Sequence, residues 1–254
     1  RSVSPVFKTC CTSYLNLRYF YTDPMKSYSQ IQNPQSSYPK AVLFDLLTAL
    51  LDSWTVWNSA AGSEAAGRAW RAEYLRLTYG CGAYQPYEKL VRDAARVTGM
   101  RADASDRLGA AWATLPVWSG AIELLQALAP HCKLAVVTNC SRVLGMQAAE
   151  RLGIEWDVVM TSEEAGFYKP DERPYLMTLQ QLGVQASDAA FVSGSGYDVF
   201  GTAKVGLRTY WHNRVGLTRP EGAPVAEVES PTLEGVLPWL QTFRSRSDVK
   251  IDSN

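Results

Sequence analysis

Histidine is scarce in this chain of 254 residues, with only His131 and His212, far apart in sequence. Neither a His-rich metal cluster nor a His-based catalytic triad is well supported by so few. Cysteine is nearly as limiting: Cys10, Cys11, Cys81, Cys132 and Cys140 are odd in number and contain no C-x-x-C pair. That pattern fits reduced thiols better than a disulfide framework and leads us to expect an intracellular, cytoplasmic protein. Net charge is also missing, since 25 Lys and Arg balance 25 Asp and Glu. The summed field gives no reason to expect nucleic acid or an anionic membrane as partner, so a small-molecule site is the expectation, with a homodimer compatible with it. No apolar run approaches the roughly 20 residues needed to span a bilayer. The longest, from Ala41 to Leu51, is broken by Asp45 and Thr48, and no internal repeat is visible.

What the chain does contain is a series of compact apolar runs of strand length: Lys40 to Leu46, Lys133 to Thr138, Trp156 to Met160, Ala189 to Ser193 and Leu207 to Trp211. Runs without polar alternation suit strands covered on both faces. Between them lie helical patterns at Ile122 to Ala129, Val143 to Leu152, Arg173 to Leu182 and Val199 to Val205, the last three closed by Gly153, Gly183 and Gly206. A Gly just past a periodic segment is the expected helix stop. Alternating strands and helices predict an α/β fold with a doubly wound parallel sheet, its site at the carboxyl ends of the strands.

Residues 53–116 interrupt that alternation with apolar positions at three- and four-residue steps, which predicts a small helical bundle inserted after the first strand. The domain expectation is therefore a core of residues 40–52 and 117–243 with a helical cap of residues 53–116. A last helix is expected from Pro231 to Phe243 with Ser230 as its cap, then a charged tail over residues 244–254. Residues 1–39 carry Arg1, Lys8, Arg18 and Lys26 against one acid, Asp23. This leaves an organelle-targeting leader open, but Met25 as a start favours a short, poorly ordered polar arm.

Four polar islands end the apolar runs. Asp45 closes the first strand, where a carboxylate is costly to bury without compensation; a nucleophilic role answers that cost, and Asp52 or Ser53 is better placed to cap the following helix. Thr138 and Asn139 offer a hydroxyl and an amide ahead of a helix begun by Ser141. Lys169, extended before Pro170, can neutralise Asp45 and keep it ionised. The fourth island, Ser193-Gly194-Ser195-Gly196-Tyr197-Asp198, supplies two hydroxyls and an acid on a loosened loop. From the bundle, Arg71 could reach an anion with its permanently charged fork, or sit on the surface. Tyr175 reads equally as a core aromatic or a site phenol. Cys140 has no nearby base and reads as core.

Together these residues resemble the haloacid dehalogenase superfamily over about residues 40–216. The runs Tyr168-Lys169-Pro170-Asp171-x-Arg173-x-Tyr175, Phe191-Val192-Ser193, Tyr210-Trp211-His212-Asn213-Arg214-x-Gly216 and Trp70-Arg71-Ala72-Glu73-Tyr74-Leu75 are similar to its L-2-haloacid dehalogenase branch. The resemblance implies a Rossmann-like core with a cap and a hydrolase acting on a small 2-halogenated carboxylate. Asp45 would be the nucleophile, and Lys169 its partner. The substrate carboxylate would lie near Thr138 and Ser193 and the halide near Asn139 and Arg71, with Tyr175 and Ser195 as further substrate contacts and Asp198, like Ser193, supporting the catalytic pair. Phosphatases of the superfamily place carboxylates where this chain has Leu47 and Gly194, so the resemblance implies a site without metal or cofactor. The chain departs from the branch at Thr48-Ala49, where Gly-Thr stands and a site hydroxyl would be displaced or lost, and at Ser195, where Asn stands. The alternatives are a phosphatase of small phosphate esters and a binding protein that has kept the fold.

Overall fold

The computed structural model describes residues 38–243. The expected N-terminal arm, with Cys10 and Cys11, and the charged tail fall outside the described residues, apart from Tyr38 and Pro39. Six strands form one parallel sheet: β1 (Ala41–Phe44), β2 (Lys133–Thr138), β3 (Val158–Thr161), β4 (Ala189–Ser193), β5 (Arg208–His212) and β6 (Val228–Ser230), in the order β3-β2-β1-β4-β5-β6. The chain builds outward from β1 through β2 to β3, then returns to place β4 on the other side of β1. That reversal opens the crevice at the carboxyl end of β1, where open α/β sheets bind ligands.

The apolar runs make this sheet because alternate side chains feed two covered faces. Val42 and Phe44 of β1 join Leu134, Val136, Ala190 and Val192 on one face. Ala41 and Leu43 join Ala135, Val137, Ala189 and Phe191 on the other. Among the described residues ten α-helices flank or follow the strands: α1 (Ser53–Ala61), α2 (Glu64–Gly80), α3 (Tyr87–Val97), α4 (Ala104–Ala111), α5 (Ala121–Leu128), α6 (Arg142–Glu150), α7 (Ser162–Ala165), α8 (Glu172–Leu182), α9 (Asp198–Val205) and α10 (Val236–Gln241). Among the described residues no helix is long and apolar enough to cross a membrane.

Helices α1 to α3 and the turn that follows α4 pack through a chain of aromatic rings: Trp57 on Trp70 at 4.6 Å between centroids, Trp57 on Tyr74 at 5.5 Å, Tyr74 on Tyr87 at 5.3 Å and Tyr87 on Trp112 at 5.8 Å. Gly67 lets α2 approach α1, since a Cβ there would lie 2.6 Å from the Asn58 Cα. The same apolar cluster continues into one face of the sheet, so this insertion shares its core with the strands. Polar ties span the seam: Tyr84 N–H donates to Gly166 O (2.7 Å), the Tyr168 hydroxyl to Gln85 O (2.8 Å) and the Ser141 hydroxyl to Glu88 Oε1 (2.6 Å).

One segment departs from the sequence expectation. Ser230 does not cap a helix over 231–243; it ends β6, an edge strand paired with β5, and the helix is only Val236–Gln241, with Gly235 at its N-cap. Three residues are too few for a strand to register as alternation, and Pro231 and Gly235 interrupt the turns a longer helix would need.

Candidate active site

Asp45 leaves β1 with its N–H donated to Val192 O (2.9 Å), which turns its side chain out at the strand end. Helix α1 is capped by Asp52, whose carboxylate accepts from Thr55 N–H at 3.0 Å, so Asp45 has no capping duty there. The two oxygens of Asp45 have different surroundings. Oδ2 accepts from Thr48 N–H (2.9 Å), the Thr48 hydroxyl (2.5 Å) and Ala49 N–H (3.1 Å). Oδ1 accepts from Lys169 Nζ at 2.8 Å. Thr48 thus delivers from position 48 the hydroxyl expected to be displaced or lost.

Lys169 is 3% exposed and ion-paired to two acids, Asp45 Oδ1 at 2.8 Å and Asp198 Oδ1 at 3.0 Å. Its backbone is fixed by Asn139, whose side-chain carbonyl accepts Lys169 N–H (2.8 Å) and whose amide donates to Lys169 O (3.0 Å). Asp198 opens α9 and is further held by the Ser193 hydroxyl (2.9 Å) and the Tyr175 hydroxyl (3.2 Å). Burial alone would push the Asp45 carboxyl up, but the Lys169 ammonium and the Thr48 donors outweigh it and hold it below the ordinary carboxylate value. Burial, with the nearby Asp45 charge, leaves the Asp198 carboxyl above that value despite Lys169. For Lys169, burial is outweighed by the two carboxylates, which hold the amine above its usual range.

Between this edge and the inserted helices lies a cavity of about 180 Å³ that both Asp45 and Lys169 line. Arg71 of α2 faces it from above, its guanidinium 4.2 Å from the Trp54 ring centroid and 5.6 Å from that of Trp57. Its Nη1 donates to the Ser53 hydroxyl (2.9 Å), while its buried Nε has no partner. Burial lowers its pKa, opposed chiefly by the fields of Tyr87 and Asp45. A guanidinium this poorly compensated and walled by aromatic faces is suited to an incoming anion.

Of the residues marked by sequence, Asp45, Lys169, Asp198, Arg71, Asn139 and Ser195 line the cavity. Three are placed elsewhere. Thr138 is buried with its hydroxyl against Cys140 Sγ at 3.8 Å. Ser193 is fully buried, its hydroxyl turned to Asp198 and Ser195 O. Tyr175, expected as a substrate contact, packs on Phe191 in the opposite face of the sheet, with centroids at 5.3 Å, and meets the site only through Asp198. Reaching a strand end does not decide which way a side chain turns. Sequence reasoning missed Trp54, the Tyr79–Tyr197 ring pair at 4.8 Å, and Leu217, Thr218 and Pro220 on the cavity wall. Thr48, named in the sequence only as a departure, stands three residues after Asp45, the spacing at which an Asp side chain accepts a backbone N–H in a cap.

The arrangement is a poor cation site. The acids lining the cavity are Asp45 and Asp198, already bridged by Lys169, and among the described residues no group of three His, Cys, Asp or Glu could hold a metal. Leu47 lines the wall where a phosphatase has its second carboxylate. Gly194 has no space for one: a Cβ there would lie 2.2 Å from the Thr48 carbonyl carbon and 2.3 Å from Ala49 N.

Comparison with known proteins identifies relatives in sequence and in fold. An (S)-2-haloacid dehalogenase of Pseudomonas sp. (strain YL) is 27% identical over 229 residues, covering 83% of this chain and 98% of that protein. The crystal structure of a dehalogenase with intermediate complex superimposes with a TM-score of 0.70 at 26% identity, over 80% of this chain and 98% of the other. A pyrimidine 5'-nucleotidase of Escherichia coli is 32% identical over 116 residues, 44% of this chain and 52% of that protein. The sequence model of the haloacid dehalogenase-like hydrolases matches residues 42–212. The chain is a member of the haloacid dehalogenase-like hydrolase family.

Proposed function

We propose that the protein displaces halide from C2 of a small 2-halogenated carboxylic acid, with Asp45 as nucleophile. The observation that carries this reading is the asymmetry of Asp45: Oδ2 is filled by three donors, while Oδ1 has the Lys169 ammonium alone and keeps a lone pair for the substrate. Oδ1 attacks C2 from the side opposite the carbon–halogen bond; the bond to halogen breaks and its electron pair leaves with the halide. The result is an ester between Asp45 and the acid, which is covalent catalysis by a carboxylate. Water then adds to the Asp45 carboxyl carbon. The negative charge gathers on Oδ2, where Thr48 N–H, the Thr48 hydroxyl and Ala49 N–H already point. Collapse expels the hydroxy acid and regenerates the carboxylate, and Asp198, the acid with the raised pKa, is placed to take the proton from water.

Arg71 and Asn139 receive the departing halide, and Arg71 draws the anionic substrate under aromatic walls that exclude bulk water. The carboxylate contacts expected from Thr138 and Ser193 are taken over by Ser195, since those two hydroxyls do not face the cavity. Substitution at carbon transfers no phosphoryl group, so no divalent cation is needed to neutralise one. The names of the dehalogenase relatives support this substrate class.

The test is halide release from 2-chloropropionate in the presence of chelator. Release is expected, and Asp45→Asn should lower it by about 10⁴-fold or more, as for loss of other nucleophiles. Magnesium-dependent hydrolysis of a phosphate ester, or silence across a panel of haloacids, would overturn the reading.

A further inference from the structure

The donors that fill Asp45 Oδ2 are themselves held from behind. The peptide joining Thr48 to Ala49 gives its N–H to Asp45, and its carbonyl, Thr48 O, accepts the indole N–H of Trp118 at 3.0 Å. The next carbonyl, Ala49 O, lies 2.8 Å from His212 Nδ1. Because the acceptor is a carbonyl, Nδ1 carries the hydrogen. Trp118 is registered to this loop along its length: its N–H donates to Leu50 O (2.9 Å), Leu51 bridges Val117, and Asp52 N–H donates to Pro116 O (2.8 Å). His212 comes from the last residue of β5, on the other side of the sheet's switch point. Both rings line a second cavity of about 380 Å³ behind the loop, separate from the one that holds Arg71.

A donor on an amide oxygen polarises the amide and strengthens the hydrogen bond its N–H makes. Trp118 therefore acts on Asp45 through one peptide group, and His212 holds the following peptide so that the donors stay aimed. We propose that Trp118 and His212 are positioning residues for the nucleophile, acting through the Thr48–Ala49 backbone; the inference rests on the assignment of Asp45 as nucleophile. The charged groups bearing on Asp45 are Lys169, Asp198 and Arg71, with the neutral Tyr79, Tyr175 and Cys140 beyond them. Around His212 the charged groups are Arg214, with Glu123 and Glu234 on the same cavity wall. Burial lowers the His212 pKa, opposed by the backbone carbonyls of Ala49 and Pro231 and assisted by Arg214. Its hydrogen bond to Ala49 O is what orients the peptide.

Three variants test this. Trp118→Phe keeps the ring and removes the N–H; His212→Asn keeps a donor close to Nδ1, and His212→Leu removes it. Trp118→Phe and His212→Leu should each lower kcat about three- to tenfold, the worth of one hydrogen bond, with KM within about twofold. In both, the acid limb of the pH profile should move to higher pH, because the ionised carboxylate has lost support. His212→Asn should keep most of the kcat. A carbon-13 titration of the Asp45 carboxyl in Trp118→Phe and the unmodified protein reads the same effect without turnover. Failure of the functional reading appears as absent halide release in the unmodified protein, and the titration still decides the inference: an upward shift supports it and an unchanged curve overturns it. A lower melting temperature with unaltered kcat and titration, or equal losses in His212→Asn and His212→Leu, would likewise overturn it.

Discussion

Two buried cations face the same cavity under opposite conditions. Lys169, on the sheet side, is paired with two carboxylates within 3.0 Å. Arg71, on the helical side, has one hydroxyl partner, two indole faces and an unpartnered Nε. The first is neutralised by the protein itself and serves to set the charge state of its neighbours. The second is left short of an anion, which is the condition of a group that binds one. On the proposed reading, the paired buried charge belongs to the fixed machinery and the unpaired one to the ligand subsite.

Removing Lys169 should break the paired side most severely. Lys169→Met leaves Asp45 and Asp198 buried without a counter-charge, so stability should fall by about 3–5 kcal/mol in a denaturant titration at pH 7. The sign reverses for the pH dependence of the intact pair. Because the Asp45 carboxyl is held below its ordinary value, the stability it contributes is present above 3.8 and is lost as pH falls through its folded value. The Lys169 amine is held above 10.5, so its contribution is complete below that pH and is lost only as alkali titrates the folded group. Melting curves taken across both limbs in the wild type and in Lys169→Met check this, since the variant should lose the alkaline dependence and, with two buried carboxylates lacking a counter-charge, should gain stability as pH falls.

On the unpaired side the expectation is the reverse. Arg71→Met removes a charge without a protein counter-ion, so stability should change by less than about 1 kcal/mol in either direction, while KM for a haloacid rises about 30-fold or more, the loss expected when one member of a buried ligand–cation pair is removed. A large loss of stability with unchanged KM would erase the contrast between the two cations. Gly194→Ala probes the floor between them and should cost about 1–3 kcal/mol in thermal unfolding, because its methyl group meets the Thr48–Ala49 backbone. The smallest effect is expected of Tyr175→Phe, which removes one hydrogen bond to Asp198 and should cost about 0.5–1.5 kcal/mol with little change in KM.

The paired side was the more legible in sequence, and the reason is local. Asp45, Lys169 and Asp198 each follow or flank an apolar run that fixes where the chain leaves the sheet, and a parallel sheet brings those ends together. The direction of a side chain at such an end depends on the next few dihedral angles, which is why Thr138 and Ser193 were read toward the substrate and turn into the protein instead. Tyr175 was read the same way, but its place in α8 sends it to the far face of the sheet. The unpaired side was less legible because its walls come from four separate stretches. Trp54 in α1, Tyr79 in α2, Tyr197 before α9 and Leu217 to Pro220 after β5 meet only through tertiary packing. The short edge strand β6 was lost for want of length.

The tight fit of Gly194 under the Thr48–Ala49 peptide constrains how this protein could change its chemistry. An acid at 194 is blocked sterically before any question of affinity for magnesium arises, so the backbone at 48 and 49 would have to retreat first. The intermediate on that route would already have moved the three donors of Asp45 Oδ2. On the proposed reading, a single substitution at 194 would therefore not exchange dehalogenation for phosphate chemistry, because an acid there displaces the donors that the Asp45 reaction uses.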